Sequence, residues 1–425
     1  MSEPLLKPKI LTTLQGYDAT LLRADLFAGI TVAMVALPLS LAIAIASGAP
    51  PETGIVTAVI AGLLISALGG SRVQIGGPTG AFIVVVFGVI AQHGLPGLVL
   101  ATLMAGIILV IAALLRAGSL MRLVPEPVIN GFTIGIAIII AASQLKDLFG
   151  LEIAALPAEF LPKIAALIDA RGTLSVASLA VGLGAMVLIV ILRRAAPRLP
   201  GLIVAVGLAS AAVAFAALPV ETIEARFGAL PRGLPLPHLP EITPALLWKL
   251  LPSALIIAFL AGIESLLSAM VADRMIAGRH RPNAEIMAQG IANIGSAMFG
   301  GLPATGAIAR TATNVKAGGR TPVAGVIHAV VILLVMLVAA PLAGRLALPA
   351  LAGLLLLTAW NMAEPQRWGN YLRQPPADLA LMLLTVALTV LADLTVAIGT
   401  GVAVGLVLRA IRKRRDAPDA QPPAD

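Results

Sequence analysis

The chain is 425 residues long, 59% hydrophobic and only 12% charged, far from the roughly 45–50% apolar and 25% charged make-up of a soluble domain, which excludes a water-soluble fold. Its net charge of +8 fits lysine and arginine on the cytoplasmic loops of a membrane protein and argues against a nucleic-acid partner. Cysteine is absent, so there is no disulfide framework, thiolate metal site or cysteine nucleophile.

Residues 1–23 include Pro4, Lys7, Pro8, Lys9 and Asp18. Lacking an uninterrupted apolar core, they are no signal peptide and are expected to stay in the cytoplasm. From Phe27 onward, apolar stretches of about 20 residues recur, the length that crosses a bilayer core. They are continuous rather than alternating, which predicts helices and not a barrel. The windows fall at 24–46, 52–70, 79–92, 95–116, 126–149, 173–193, 200–219, 244–268, 284–298, 305–316, 321–344, 348–363, 377–391 and 393–412. The fold class is therefore an all-α polytopic membrane protein with fourteen transmembrane segments. The windows from 79 and 305 are too short to cross alone.

Charge supplies a check independent of hydropathy. With a cytoplasmic start, the inner loops carry Arg116 and Arg122, then Arg193, Arg194 and Arg198, then Arg274, Arg279 and Arg281, and the last span ends in Arg409 and Arg412 to Arg415. The outer segments 146–171 and 221–241 mix both signs. Both termini are thus expected inside the plasma (inner) membrane. Residues 413–425, rich in Pro, Asp and Ala, read as a disordered cytoplasmic tail.

Two segments resemble each other: Gly76-Gly77-Pro78-Thr79-Gly80-Ala81 and Gly300-Gly301-Leu302-Pro303-Ala304-Thr305-Gly306-Ala307. Each opens one of the short spans, and Gly80 and Gly306 are 226 positions apart, close to the offset between the spans from 24 and 244. The pattern reads as a duplication of seven spans, whose odd number inverts the second copy. A helix starting inside the membrane presents unpaired N–H groups and the positive end of its dipole, which suits an anion. Thr79 and Thr305 are expected to add hydroxyl donors, while Gly80 and Gly306 permit close backbone approach. Val73 to Ile75 and Phe299 to Leu302 are expected to reach the helices as short extended stretches.

Glu264 sits well inside the span 244–268, with Ser265 and Ser268 nearby, and at that depth it needs a partner or a proton. It is read as a coupling residue together with Ser268. Arg310 lies one turn into the second short helix, where it reaches either the anion or Glu264. Pro38 interrupts the first span opposite Glu264, and with Ser40 it is expected to line the cavity. Asp25 and Asp393 read as interfacial, and His93 and His328 are assigned no role.

At these residues the chain resembles the sulfate permease (SulP) family of anion transporters over nearly its whole length. The resemblance rests on Arg23-Ala24-Asp25 with Ala28-Gly29, on Gly70-Ser71-Arg72 followed by Gly77-Pro78, on Pro127-Val128-Ile129-Asn130-Gly131-Phe132, on Ala288-Gln289-Gly290-Ile291-Ala292-Asn293, and on Ala309-Arg310-Thr311-Ala312-Thr313-Asn314 with Gly318-Gly319-Arg320-Thr321. It implies a seven-plus-seven inverted repeat with a mobile core domain (24–116 and 244–344) and a gate domain (126–219 and 348–412), moving as an elevator. It also implies a site between the starts of spans 3 and 10, flanked by spans 1 and 8, where Thr79, Gly80, Ala81, Gly306, Ala307 and Arg310 occupy the substrate-binding positions, beside the hydroxyl donor Thr305 read above, and Glu264 is the span 8 acid. Members of the family usually continue into a cytoplasmic STAS domain, whereas this sequence stops after a short tail, as a shortened piece or a naturally short form. Leu39 stands where many members carry a polar residue, which weakens any inference about substrate.

The expected function is secondary active transport of small inorganic or carboxylate anions of the sulfate, bicarbonate or dicarboxylate class. The partners are the anion and the lipid bilayer, with a homodimer compatible; no cofactor or metal is expected beyond a co-transported proton, with sodium as the alternative. A nucleobase transporter of the same fold would want polar side chains where Ala307 and Ile308 stand. No His-Glu-x-x-His, cysteine or membrane aspartate pair supports an intramembrane enzyme. A passive channel is separated from a transporter by uptake against a gradient.

Overall fold

A computed structural model describes residues 6–116, 118, 125–196, 199–392 and 394–415. Residues 416–425 of the expected tail, with Arg122, Arg198 and Asp393, lie outside the described residues.

After a four-residue helix at Ile10–Thr13, the long helix α1 (Ala19–Ala46) starts where the Asp18 carboxylate accepts the Leu21 N–H at 2.8 Å, and it runs unbroken through Pro38. Proline in the first turn, where its missing N–H costs nothing, opens α2 (Pro51–Leu68). The chain then leaves helix at Gly69, crosses the short strand β1 (Gly76–Gly77), and passes through a single 3₁₀ turn, Gly80–Phe82, into α3 (Ile83–Leu114). Two predicted spans join in α3, which turns at Gly94 (φ +68), two residues before Pro96. Next come α4 (Glu126–Phe149), the amphipathic α5 (Phe160–Asp169), α6 (Val176–Ala195) and α7 (Gly201–Phe215).

The second half repeats the plan. α8 (Pro244–Ile276), capped by the Thr243 hydroxyl on the Leu246 N–H, runs beyond the predicted end at 268, and α9 (Pro282–Met298) returns. Strand β2 (Thr305–Gly306) leads into the nine-residue α10 (Ile308–Lys316). α11 (Val323–Gly344), α12 (Leu348–Met362), α13 (Pro376–Leu391) and α14 (Leu394–Arg415) complete the chain. Among the described residues, seven helices are long and apolar enough to cross a membrane. This is fewer than the fourteen predicted windows because two of those merge across Gly94 and several others form helices under 18 residues.

Contacts are reciprocal between the halves: α1 lies along α11 as α8 lies along α3, and α2 lies against α11 as α9 lies against α3. Helices α1, α2, α3, α8, α9 and α11 pack chiefly on one another, and α4 packs on α12 and α13. The two halves meet at the strands, which pair antiparallel with Gly76 opposite Gly306 and Gly77 opposite Thr305.

Candidate functional site

Extended backbone buried away from water must have every N–H and C=O partnered. Here side chains from both halves supply the partners. Glu285, fully buried on α9, accepts from the N–H groups of Gly70 (2.9 Å) and Ser71 (3.2 Å) and from the amides of Gln74 and Gln289 (2.9 Å each). Asn314 donates to Val73 O at 2.8 Å, and Asn293 both donates to Ala304 O and accepts from its N–H, at 2.9 Å each. Thr57 and Ser296 hold Leu302 at both ends of its peptide unit. The second extended stretch begins after Gly301 rather than at Phe299, because the N–H groups of Phe299, Gly300 and Gly301 still donate to the α9 carbonyls of Gly295, Ser296 and Ala297.

Within this frame the two helix starts are juxtaposed, but their donors are distributed differently from the sequence expectation. Gly306 N–H is taken by Ser265 Oγ at 2.9 Å and Ala307 N–H by Ile75 O at 2.8 Å. The Thr305 hydroxyl donates to Ala261 O at 3.0 Å and so accepts from Ser265 Oγ at 2.8 Å. The Thr305 hydroxyl and the Gly306 and Ala307 N–H groups are thus all taken up within the fold. The first-turn N–H groups left without a helical acceptor are those of Ile308, Ala309 and Arg310, and Ile308 and Ala309 are exposed.

Across from α10, Thr79 and Glu264 are both half-buried, and the Thr79 hydroxyl donates to Glu264 Oε2 at 3.1 Å. Gly80 and Ala81 are buried in the turn behind Thr79. Gly80 sits so near α12 that a Cβ there would lie 3.0 Å from Met362 Sδ and 3.7 Å from Ile140 Cδ1 of α4. Met362 and Ile140 went unnoticed in the sequence because nothing marks an apolar side chain as a wall of a polar site.

Arg310 is 1% exposed. Its Nη2 donates to Pro78 O at 2.8 Å and, more weakly, to Ser40 Oγ at 3.4 Å, while Nε and Nη1 have no partner. Among the described residues it makes no ion pair with Glu264; it is folded behind the paired strands instead. Ser40 thus contacts Arg310, while Pro38 is buried inside a continuous α1. Ser268, expected beside Glu264, instead meets Thr311 Oγ1 at 3.2 Å. The one-turn spacing on α8 points it at α10, where Thr311 also accepts the Ile75 N–H.

Asp25, read as interfacial, is fully buried and accepts from the N–H groups of Arg320 and Thr321, capping the approach to α11. The buried amides Gln289, Asn293 and Asn314 carry a signal that is present in the sequence, polar side chains in apolar windows and inside the motifs quoted above, whereas Gln74 falls between two quoted segments. Among the described residues, no group of three or more His, Cys, Asp or Glu is arranged to hold a metal ion.

Comparison with known proteins shows the family and the fold. The sequence model of the Sulfate permease family matches residues 22–385. The Bacillus subtilis protein YvdB, named as a candidate sulfate transporter, is 45% identical over 395 residues, covering 92% of this chain and 74% of the relative. The bicarbonate transporter BicA of Picosynechococcus is 32% identical over 409 residues, 91% of this chain and 70% of the relative. Among solved structures, the transmembrane domain of a cyanobacterial bicarbonate transporter BicA matches with a TM-score of 0.81 at 33% identity, over 90% of this chain and 98% of that one. Murine Slc26a9, an anion transporter solved in the inward-facing state, matches with a TM-score of 0.85 over 96% of this chain and 71% of its own; at 19% identity this likeness speaks for the fold alone.

Proposed function

From the premise that the chain belongs to the sulfate permease family, whose members here are membrane transporters and not enzymes, we propose that it moves small oxyanions by proton-coupled symport. The anion, of the sulfate, bicarbonate or dicarboxylate class, rests between Thr79 and the open first turn of α10. Exposed N–H groups at Ile308 and Ala309 and the helix dipole supply its donors, and the buried Arg310 adds a full positive charge from behind Pro78.

The observation that carries the coupling is the Thr79–Glu264 hydrogen bond. While Glu264 is ionised, it holds the Thr79 hydroxyl and repels an anion. Once Glu264 is neutralised, the repulsion ends and Thr79 is released to donate to the substrate. Concentrative uptake requires such a device, because the membrane potential opposes an inward-moving anion by about 2.3 kcal/mol per charge per 100 mV. A carboxylate with one hydroxyl partner suits a proton better than sodium, which wants several oxygens.

Residues 24–116 and 244–344 form the moving core and 126–219 with 348–412 the gate, in fourteen spans with both termini on the cytoplasmic side. Gly80 against Met362 and Ile140 is the seam along which the core slides. The test is uptake of labelled sulfate and bicarbonate into proteoliposomes. An inward pH gradient in sodium-free buffer should drive accumulation, and Glu264→Gln should remove that drive while anion exchange remains measurable. Sodium-dependent uptake indifferent to the pH gradient would overturn proton coupling.

A further inference from the structure

Lys163 is the one buried lysine among the described residues that the site above does not explain. It projects from α5, the amphipathic helix between α4 and α6, and is 2% exposed. Its Nζ donates to Ser143 Oγ of α4 at 3.0 Å and lies 5.2 Å from the centroid of the Phe87 ring of α3. Phe87 in turn packs beside Gly48, just past the end of α1. Lys163 thus sits on the face where α1 ends, bridging a helix of the α1–α3 group to α4.

An ammonium carries three donors, and Lys163 uses one of them. The neighbouring elements carry few charges that face it. On α4, Lys146 donates to Ile153 O and Asp147 is engaged by Arg226; α3 offers His93, α13 offers Asp378 at its far end, and the α5 segment itself has Glu159, Asp169 and Arg171. None of them forms a salt bridge with Lys163 among the described residues. A ring face and one hydroxyl are poor compensation for a desolvated cation, and burial alone lowers the Lys163 ammonium to about 8. Two of its N–H donors are left without a partner.

We propose that Lys163 is the receiving site for the transported oxyanion on the face carrying α5, binding it through its two unused N–H groups when α3 draws away from α4 and Phe87 uncovers the ammonium. This rests on the reading that the α1–α3 group moves against the gate helices. Only a small anion with accessible oxygens fits a single ammonium flanked by Ser143.

The experiment measures exchange of labelled sulfate and bicarbonate at equal pH on both sides. Sidedness is fixed by adding a single cysteine at the open position Gly172 of this cysteine-free chain and blocking one population with an impermeant thiol reagent. On the α5 face, the wild-type KM should rise about tenfold between pH 7 and pH 9, as expected for loss of one charge-assisted hydrogen bond. Lys163→Arg should abolish that rise, because its charge persists, and Lys163→Met should show the high KM at every pH. The opposite face should be unaffected. Glu264 is common to all three proteins, so a pH response arising there appears equally in each and cancels in the comparison. Identical pH profiles in wild type and Lys163→Arg, or equal KM changes on both faces in Lys163→Met, would overturn the proposal while leaving anion transport intact. Absence of a pH response in the wild-type protein, with exchange preserved, would also overturn it.

Discussion

The Arg310 guanidinium fills the space that Gly77 leaves by having no side chain: a Cβ built on Gly77 would lie 2.4 Å from Arg310 Nη1. Gly77 also holds φ +148, a conformation that side chains rarely adopt. Gly77→Ala should therefore cost about 1–3 kcal/mol of stability. It should also turn the guanidinium off Pro78 O. The thermal unfolding temperature in detergent and anion uptake should both fall, and a double variant with Arg310→Ala should recover only the part of the stability lost to the clash, without recovering uptake.

Arg310→Gln removes a buried positive charge while leaving the α10 dipole in place. Substrate affinity should drop roughly 10- to 100-fold, the worth of about 1.5–3 kcal/mol for a charged hydrogen-bonding group. Arg310→Lys should restore little, since a point charge on a flexible stem does not reproduce the planar fork between Pro78 O and Ser40 Oγ. KM for uptake at subsaturating sulfate measures the loss, and an unchanged KM in Arg310→Gln would make the residue purely structural.

Thr79→Val keeps the shape of Thr79 and deletes the hydroxyl shared with Glu264. If that hydroxyl passes from Glu264 to the anion when Glu264 is neutralised, the variant should weaken anion affinity about fivefold at low pH, as for a neutral hydrogen bond of roughly 1 kcal/mol. At high pH the difference should shrink. The pH dependence of the exchange KM is therefore flatter than in wild type; a parallel profile shifted uniformly would separate Thr79 from coupling.

On the loop side of the molecule, Arg226 joins Asp147 at the end of α4 to Glu221 before α8. The guanidinium holds the Glu221 carboxyl below its usual range through a direct hydrogen bond. A carboxyl whose folded pKa is depressed contributes stability above its unfolded pKa, about 4.3, and that contribution is lost as pH falls below it. The pair is partly exposed, with Glu221 at 48%, so the contribution is small, about 0.5–1 kcal/mol. Melting midpoints between pH 6 and pH 3 should fall less steeply in Glu221→Gln than in wild type.

Much of this was written plainly in the chain. Apolar runs marked the helices, and the paired Thr-Gly-Ala segments marked where the two halves meet, because a repeated interruption in an apolar sequence has few structural uses. What hydropathy does not encode is which atom takes which donor. The fate of the Gly306 and Ala307 N–H groups depends on Ser265 and on Ile75, the latter in the other repeat, so local reasoning left them free for a ligand. Ser268 shares a helix face with Glu264 one turn away, yet its hydroxyl meets Thr311. Lys163 looked like an ordinary charge on an outer segment, and only packing against Phe87 and Ser143 removes it from water.

The cross-repeat amide contacts also impose a schedule on synthesis. Val73 O waits for Asn314, which is 241 residues further along the chain, an interval on the order of ten to fifty seconds at ribosomal speeds. During that time the stretch from Gly70 to Gly77 has left the ribosome without Glu285, Asn314 or β2, and its bare peptide groups have no lipid-compatible partner. The first repeat must therefore be sheltered at the insertion machinery, or remain wet, until the second arrives. Loss of the Asn314 amide would accordingly register as a defect in maturation of a segment translated long before it.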